Sequence, residues 1–229
     1  MMDYYDTTDE PIKTMDMNSV LTNTFFRMFL GLLASAVTAI FAYYSELYMP
    51  LIMGDGFIYL GVAEIIVVLV FSLLFKKLSP TAVTVLYFIY AFLNGFTLSV
   101  IFAAFELTSI AYAFFGTAAL FAILSYLGHK TKRDISSFGT ILIVALGIGL
   151  VLTLINLFLR NSLLDIALDW AILIIFFGLT VYDMNKIKKM GEMNFCDPEK
   201  LYVYGAMELY LDFINIFLRI LSLFGKRRN

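Results

Sequence analysis

Seven long apolar runs, separated by short polar connections, dominate the pattern along this chain. They cover Phe25–Tyr44, Phe57–Phe75, Thr81–Phe102, Ile110–Leu127, Phe138–Leu159, Leu163–Tyr182 and Leu201–Phe224. A helix needs about 20 apolar residues to cross the hydrocarbon core of a bilayer. Runs of this length that lack two-residue alternation disfavour a β-barrel. Pro50, Pro80 and Pro198 fall in connections, as breakers should. Small residues such as Gly31, Ala34, Ser35 and Ala39, or Gly147 and Gly149, let helices approach closely in lipid. The pattern predicts an all-α membrane protein with seven transmembrane helices. The last run is the most polar, carrying Glu208, Asp212, Asn215 and Arg219. A polar helix is best shielded at the centre of a bundle, so six helices are expected to wrap around a central C-terminal one.

Composition agrees with a lipid-embedded chain. Of 229 residues, 61% are hydrophobic and 15% charged, with a mean hydropathy of +0.87. Soluble domains run near 45–50% apolar and roughly 25% charged. A net charge of −2, with no glycine-rich phosphate loop or basic groove, argues against nucleic-acid binding. The single Cys196 excludes an intramolecular disulfide or a multi-cysteine metal site. Residues 1–23 are acidic and polar, lack a secretory-signal pattern, and are expected to form a mobile tail. Residues 24–225 make the helical domain and 226–229 a basic tail.

Charge in the connections predicts orientation. Lys76 and Lys77, then Lys130, Lys132 and Arg133, then Lys186, Lys188, Lys189 and Lys200 mark alternate connections. The opposite set holds Glu46 and Asp55, then Glu106, then Arg160 with Asp165. The basic set is expected to be cytoplasmic, with the N-terminus on the same side. The C-terminal Lys226-Arg227-Arg228 conflicts with a seventh crossing. A full crossing is favoured over a segment that enters and turns back.

Two aspartates stand out against the apolar background: Asp183 at the end of the sixth run and Asp212 inside the seventh. A carboxylate at mid-bilayer costs about 2.5–3.5 kcal/mol on insertion scales, so such residues usually face a partner or a watery path. Helix length alone places Asp212 roughly 17 Å deep and Asp183 near the surface, which leaves their meeting open. If they meet at about 4 Å, they repel by roughly 4 kcal/mol at an effective dielectric of 20. Such a pair would share one proton near neutral pH and titrate as a unit. Its oxygens would also suit calcium in transit. Alternatively, Asp183 is an interfacial carboxylate paired with Lys186. Glu208, one turn before Asp212, and Asn215 are candidates to line an acidic passage, as is Glu64 in the second run. Glu64 reads equally as a structural hydrogen-bonding acid. Arg219 either snorkels to an interface or locks a carboxylate. Arg27 reads as an anchor, and Trp170 as part of an aromatic belt. No serine, cysteine or histidine arrangement offers a nucleophile, so enzymatic activity is not expected. An intramembrane aspartyl protease is the one enzyme alternative.

At these residues the sequence resembles the Bax inhibitor-1 family. Leu209-Tyr210-Leu211-Asp212-Phe213-Ile214-Asn215-Ile216-Phe217-Leu218 resembles the family's C-terminal helix motif, and Gly178-Leu179-Thr180-Val181-Tyr182-Asp183 the end of its sixth helix. Asn94-Gly95-Phe96-Thr97-Leu98-Ser99 and Phe29-Leu30-Gly31-Leu32 resemble its third- and first-helix signatures. The resemblance implies the wrapped seven-helix fold and a pH-sensitive calcium leak gated by a proton-sharing pair, here Asp183 and Asp212. Some members latch the pair with an arginine late in the second helix. Here the nearby positions are Lys76 and Lys77, which supply charge but no two-pronged bond.

The leading expectation is therefore a monomeric, passive cation leak, without cofactor, whose partners are calcium, protons and the bilayer. A non-conducting membrane regulator of a protease or survival factor is the alternative. A proton-coupled transporter is disfavoured by the lack of broken-helix pairs. Compact length and short connections point to a bacterial plasma membrane.

Overall fold

A computed structural model describes residues 15–228. Among them run eight helices: α1 (Met17–Tyr44), α2 (Met49–Met53), α3 (Gly56–Leu74), α4 (Pro80–Ala104), α5 (Leu107–Lys130), α6 (Ser136–Leu159), α7 (Ser162–Glu192) and α8 (Pro198–Phe224). Each apolar run of the sequence falls within one of the long helices, save that Phe75 stands one residue past the end of α3. Their starts follow local chemistry. Asp16 caps α1 by accepting from the backbone N–H groups of Asn18 and Ser19. Ser79 and Asp197 cap α4 and α8, each followed by a proline in the first turn, where its missing N–H costs nothing. Residues 1–14 of the expected tail lie outside the described residues, and from Met17 onward the chain is helical.

The expected seven transmembrane helices, six of them wrapped around the C-terminal one, are corrected. Six helices (α1, α3, α4, α5, α6 and α7) are long and apolar enough to cross a membrane. α8 is not among them, because Glu208, Asp212 and Arg219 interrupt its apolar sequence. Nor do the others encircle it. α8 packs chiefly on α1, α4, α5 and α7, whereas α3 rests mainly on α4, touching α8 through the Phe71 and Tyr204 rings, and α6 rests on α7. The eighth helix is the short α2, in a connection between two apolar runs. The physical reason lies in the outer helices. Phe71 is the one buried residue within α3, and α6 buries little beyond Gly139, Leu142, Gly149 and Asn156. Helices so apolar all round gain nothing by enclosing a partner when lipid solvates them equally well.

Close helix contacts are set by small residues. A Cβ added at Gly95 on α4 would stand 2.7 Å from the Ser35 carbonyl oxygen of α1. Gly205 on α8 likewise faces Thr24 of α1. Gly149 meets Ile172 of α7, whereas Gly147 has open space around it. The two ends of the bundle are chemically distinct. At one end, Lys200 reaches the Lys76 carbonyl, Lys189 pairs with Asp134, and Arg27 pairs with Glu199. At the other, the C-terminal residues pair with the α4–α5 connection: Lys226 meets Glu106 at 2.7 Å, and Arg228 donates its backbone N–H to Ala104.

Candidate functional site

α7 and α8, antiparallel neighbours, together form the inner wall of a cavity of about 590 Å³. From α7 come Ile172, Phe176, Leu179, Asp183 and Lys186; from α8 come Tyr204, Glu208, Leu211, Asp212, Asn215 and Arg219. The three- and four-residue spacings put each set on one helical face. The outer walls are largely apolar, with Ile65, Val68 and Ser72 on α3 and Ile143, Leu146 and Leu150 on α6.

Asp183 and Asp212 thus open on the same space. Helix length explains why they can. α7 continues past Asp183 to Glu192, roughly 14 Å further, and α8 begins at Pro198, roughly 21 Å before Asp212. Neither aspartate sits at a helix end. They are 6% and 3% exposed. Neither is in an ion pair within 4 Å among the described residues, and the Asp212 Oδ2 atom has no hydrogen-bond partner there.

The cavity's cations are both engaged. Lys186 pairs with Glu208 at 3.5 Å rather than with Asp183, and its ammonium also lies over the Tyr204 ring. Arg219 pairs with Asp169 of α7 at 2.5 Å, and Ser222 donates to the other oxygen of the same carboxylate at 2.6 Å. Asp169 was not among the sequence candidates. The signal that could have found it is its position on α7, about four turns before Asp183 and so on nearly the same face.

The remaining candidates lie elsewhere. Glu64 is outside the cavity, accepting from Thr97 at 2.6 Å and from Asn94 at 3.5 Å. Asn94 in turn accepts from the Tyr210 hydroxyl, which bonds Ser35, so that α1, α3, α4 and α8 share one buried polar network. Asn215 lines the cavity while donating to the Leu211 carbonyl. Lys76 and Lys77 stand just beyond α3 and do not line the cavity, and the Lys76 ammonium lies over the Phe195 ring. Among the described residues, no group of three or more His, Cys, Asp or Glu side chains is placed to hold a metal ion. Outside the spanning segments, the hydrogen bond from Lys189 holds the Asp134 carboxyl well below its usual range, and Ser136 adds to this. Burial pushes the Cys196 thiol up.

These features define a multi-pass membrane protein with an acidic cavity built into its helix bundle. The chain belongs to the Bax inhibitor-1 family: residues 17–229 match the family described as "Inhibitor of apoptosis-promoting Bax1". It is 41% identical over 208 residues to the inner membrane protein YbhL of Escherichia coli, covering 88% of each chain. A protein of Borreliella burgdorferi is 34% identical over 229 residues, covering 98% of this chain and 99% of its own. A Rickettsia prowazekii protein is 34% identical over the full length of both. Membership of this family accords with a protein that is not an enzyme.

Proposed function

We propose that this protein is a pH-sensitive passive leak for calcium or similar cations, with Asp183 and Asp212 sharing a proton as its gate. The observation that carries the proposal is that two nearly buried carboxyls from adjacent helices open on one cavity while both neighbouring cations are bound to other acids. Loss of the shared proton puts like charges into one space of low dielectric, which biases the helix packing around it. α3 and α6 are the walls with least to lose by moving: α3 rests mainly on α4 and meets α8 through the Phe71–Tyr204 ring contact, and α6 rests on α7. Glu208 and Asn215 add oxygens along the same face of α8. With Glu208 held by Lys186, the two aspartates and Asn215 fall short of the roughly 6–8 oxygens calcium prefers, so water supplies the rest and the ion is not retained. The basic connections sit at the end of the bundle where α1 begins, which supports a cytoplasmic N-terminus. The E. coli relative, an inner membrane protein by name, supports placement in a bacterial inner membrane.

The test is calcium flux into liposomes that contain only this protein, measured from about pH 6 to pH 8. Wild type is expected to pass calcium at a rate that changes with pH, and Asp212→Asn to lose that change while remaining folded. A wild-type protein that passes no calcium at any pH would overturn the leak. That result favours a non-conducting regulator, the alternative that the family description supports.

A further inference from the structure

The cavity opens sideways. α3 and α6 form its outer walls, yet the two helices make no contact with each other, so a slot is left between them. Ile65, Ile143 and Leu150 line the cavity and are at the same time 60%, 55% and 51% exposed on the outer surface. In a membrane that surface meets acyl chains. The slot is an apolar mouth that a lipid-dissolved molecule can enter without passing through water.

The back of the same cavity is different in kind. Asp212 is 3% exposed, lines the cavity, and its Oδ2 atom lacks a hydrogen-bond donor among the described residues. Lys186 and Arg219, the cations nearest to it, are engaged by Glu208 and Asp169. A buried acceptor without a donor is costly, and a ligand that supplies one gains that cost back. The cavity volume lies within the roughly 300–1,000 Å³ of small-molecule sites.

We infer that this cavity is a binding site for a single-chain amphiphilic amine, its ammonium donating to Asp212 and its alkyl tail lying in the slot between α3 and α6. Charge selects the head group. Three acids and two cations line the space, so an ammonium is complementary and a phosphate is not. The apolar mouth selects the tail, which gains by staying out of water. The site goes beyond the proposed leak, because it concerns an organic ligand entering from the bilayer and holds whether or not calcium passes.

The test is retention of radiolabelled octylamine by the protein in phosphatidylcholine nanodiscs, with empty nanodiscs as background and octanol as a neutral ligand of equal chain length. Wild type is expected to bind octylamine saturably and octanol only as the lipid does. Asp212→Asn removes the charge at the back, and Ile143→Trp fills the mouth. Each is expected to weaken octylamine binding at least about tenfold, as loss of a charge-assisted hydrogen bond or of access implies. Ile148→Trp, on the exposed face of α6 but outside the cavity, is expected to bind as wild type does. Equal retention of amine and alcohol, or wild-type affinity in Ile143→Trp, would overturn the site. Protein that binds octylamine but passes no calcium sinks the leak and keeps this site. The opposite result does the reverse.

Discussion

Arg219 on α8 is tied to Asp169 on α7 at 2.5 Å, and the pair closes the end of the acidic cavity away from Lys186. Their side chains are 26% and 13% exposed, so both charges are largely withdrawn from the surface. An arginine fifty residues from its partner in sequence helps fix the register of the two helices, with the Lys186–Glu208 pair holding them at the other end of the cavity.

Removing Asp169 alone leaves a guanidinium unpaired at that end. Breaking a buried pair costs about 3–5 kcal/mol, and partial exposure puts this one near the lower figure. At roughly 2–4 °C per kcal/mol for a chain of this size, Asp169→Leu should lower the melting temperature in detergent by about 6–12 °C. The double variant Asp169→Leu with Arg219→Leu should recover most of that loss, because replacing both charges by apolar groups is often neutral. Thermal unfolding of the two variants checks this. Equal losses in both would show that the ion pair is not what holds the register.

Gly95 and Gly116 give a paired test of helix approach. A Cβ at Gly95 would come within 2.7 Å of both the Ser35 carbonyl oxygen and the Thr38 Cβ, neither of which can swing away. Overpacking of this kind costs typically about 1–3 kcal/mol. Nothing lies within 4 Å of a Cβ at Gly116. There alanine should be neutral or stabilising, since it relieves the entropic cost of glycine in a helix. Gly95→Ala should therefore melt lower than wild type and Gly116→Ala no lower, measured side by side in the same detergent.

Cys196, the sole cysteine, reports both chemistry and topology. It lies between α7 and α8, half-buried, and burial holds its thiol above the ordinary value. Because the thiolate is the reactive form, maleimide labelling near pH 7 should be slower than for free cysteine and should quicken as pH rises past about 8.5. A membrane-impermeant maleimide should label it in inverted vesicles and not in right-side-out ones, given a cytoplasmic α7–α8 connection. Labelling from the outside would reverse the proposed orientation.

Much of the molecule is written along the chain. Apolar run length decides which segments become lipid-embedded helices, because each residue's transfer from water is a local quantity. The same local cost made Asp183 and Asp212 conspicuous and singled out α8 as the polar helix. Local chemistry also set the helix starts at Asp16, Ser79 and Asp197.

What the chain alone left open was which faces meet. The partner of Arg219, the engagement of Lys186 by Glu208, and the separate network that takes Glu64 all depend on how each helix is rotated and shifted against its neighbours. The same packing left α8 covered chiefly by four helices rather than six, and opened the slot between α3 and α6. Hydrophobic pattern cannot fix these relationships. In lipid an apolar face is satisfied by an acyl chain or a helix alike, so close packing and hydrogen bonding, which are properties of pairs, make the choice.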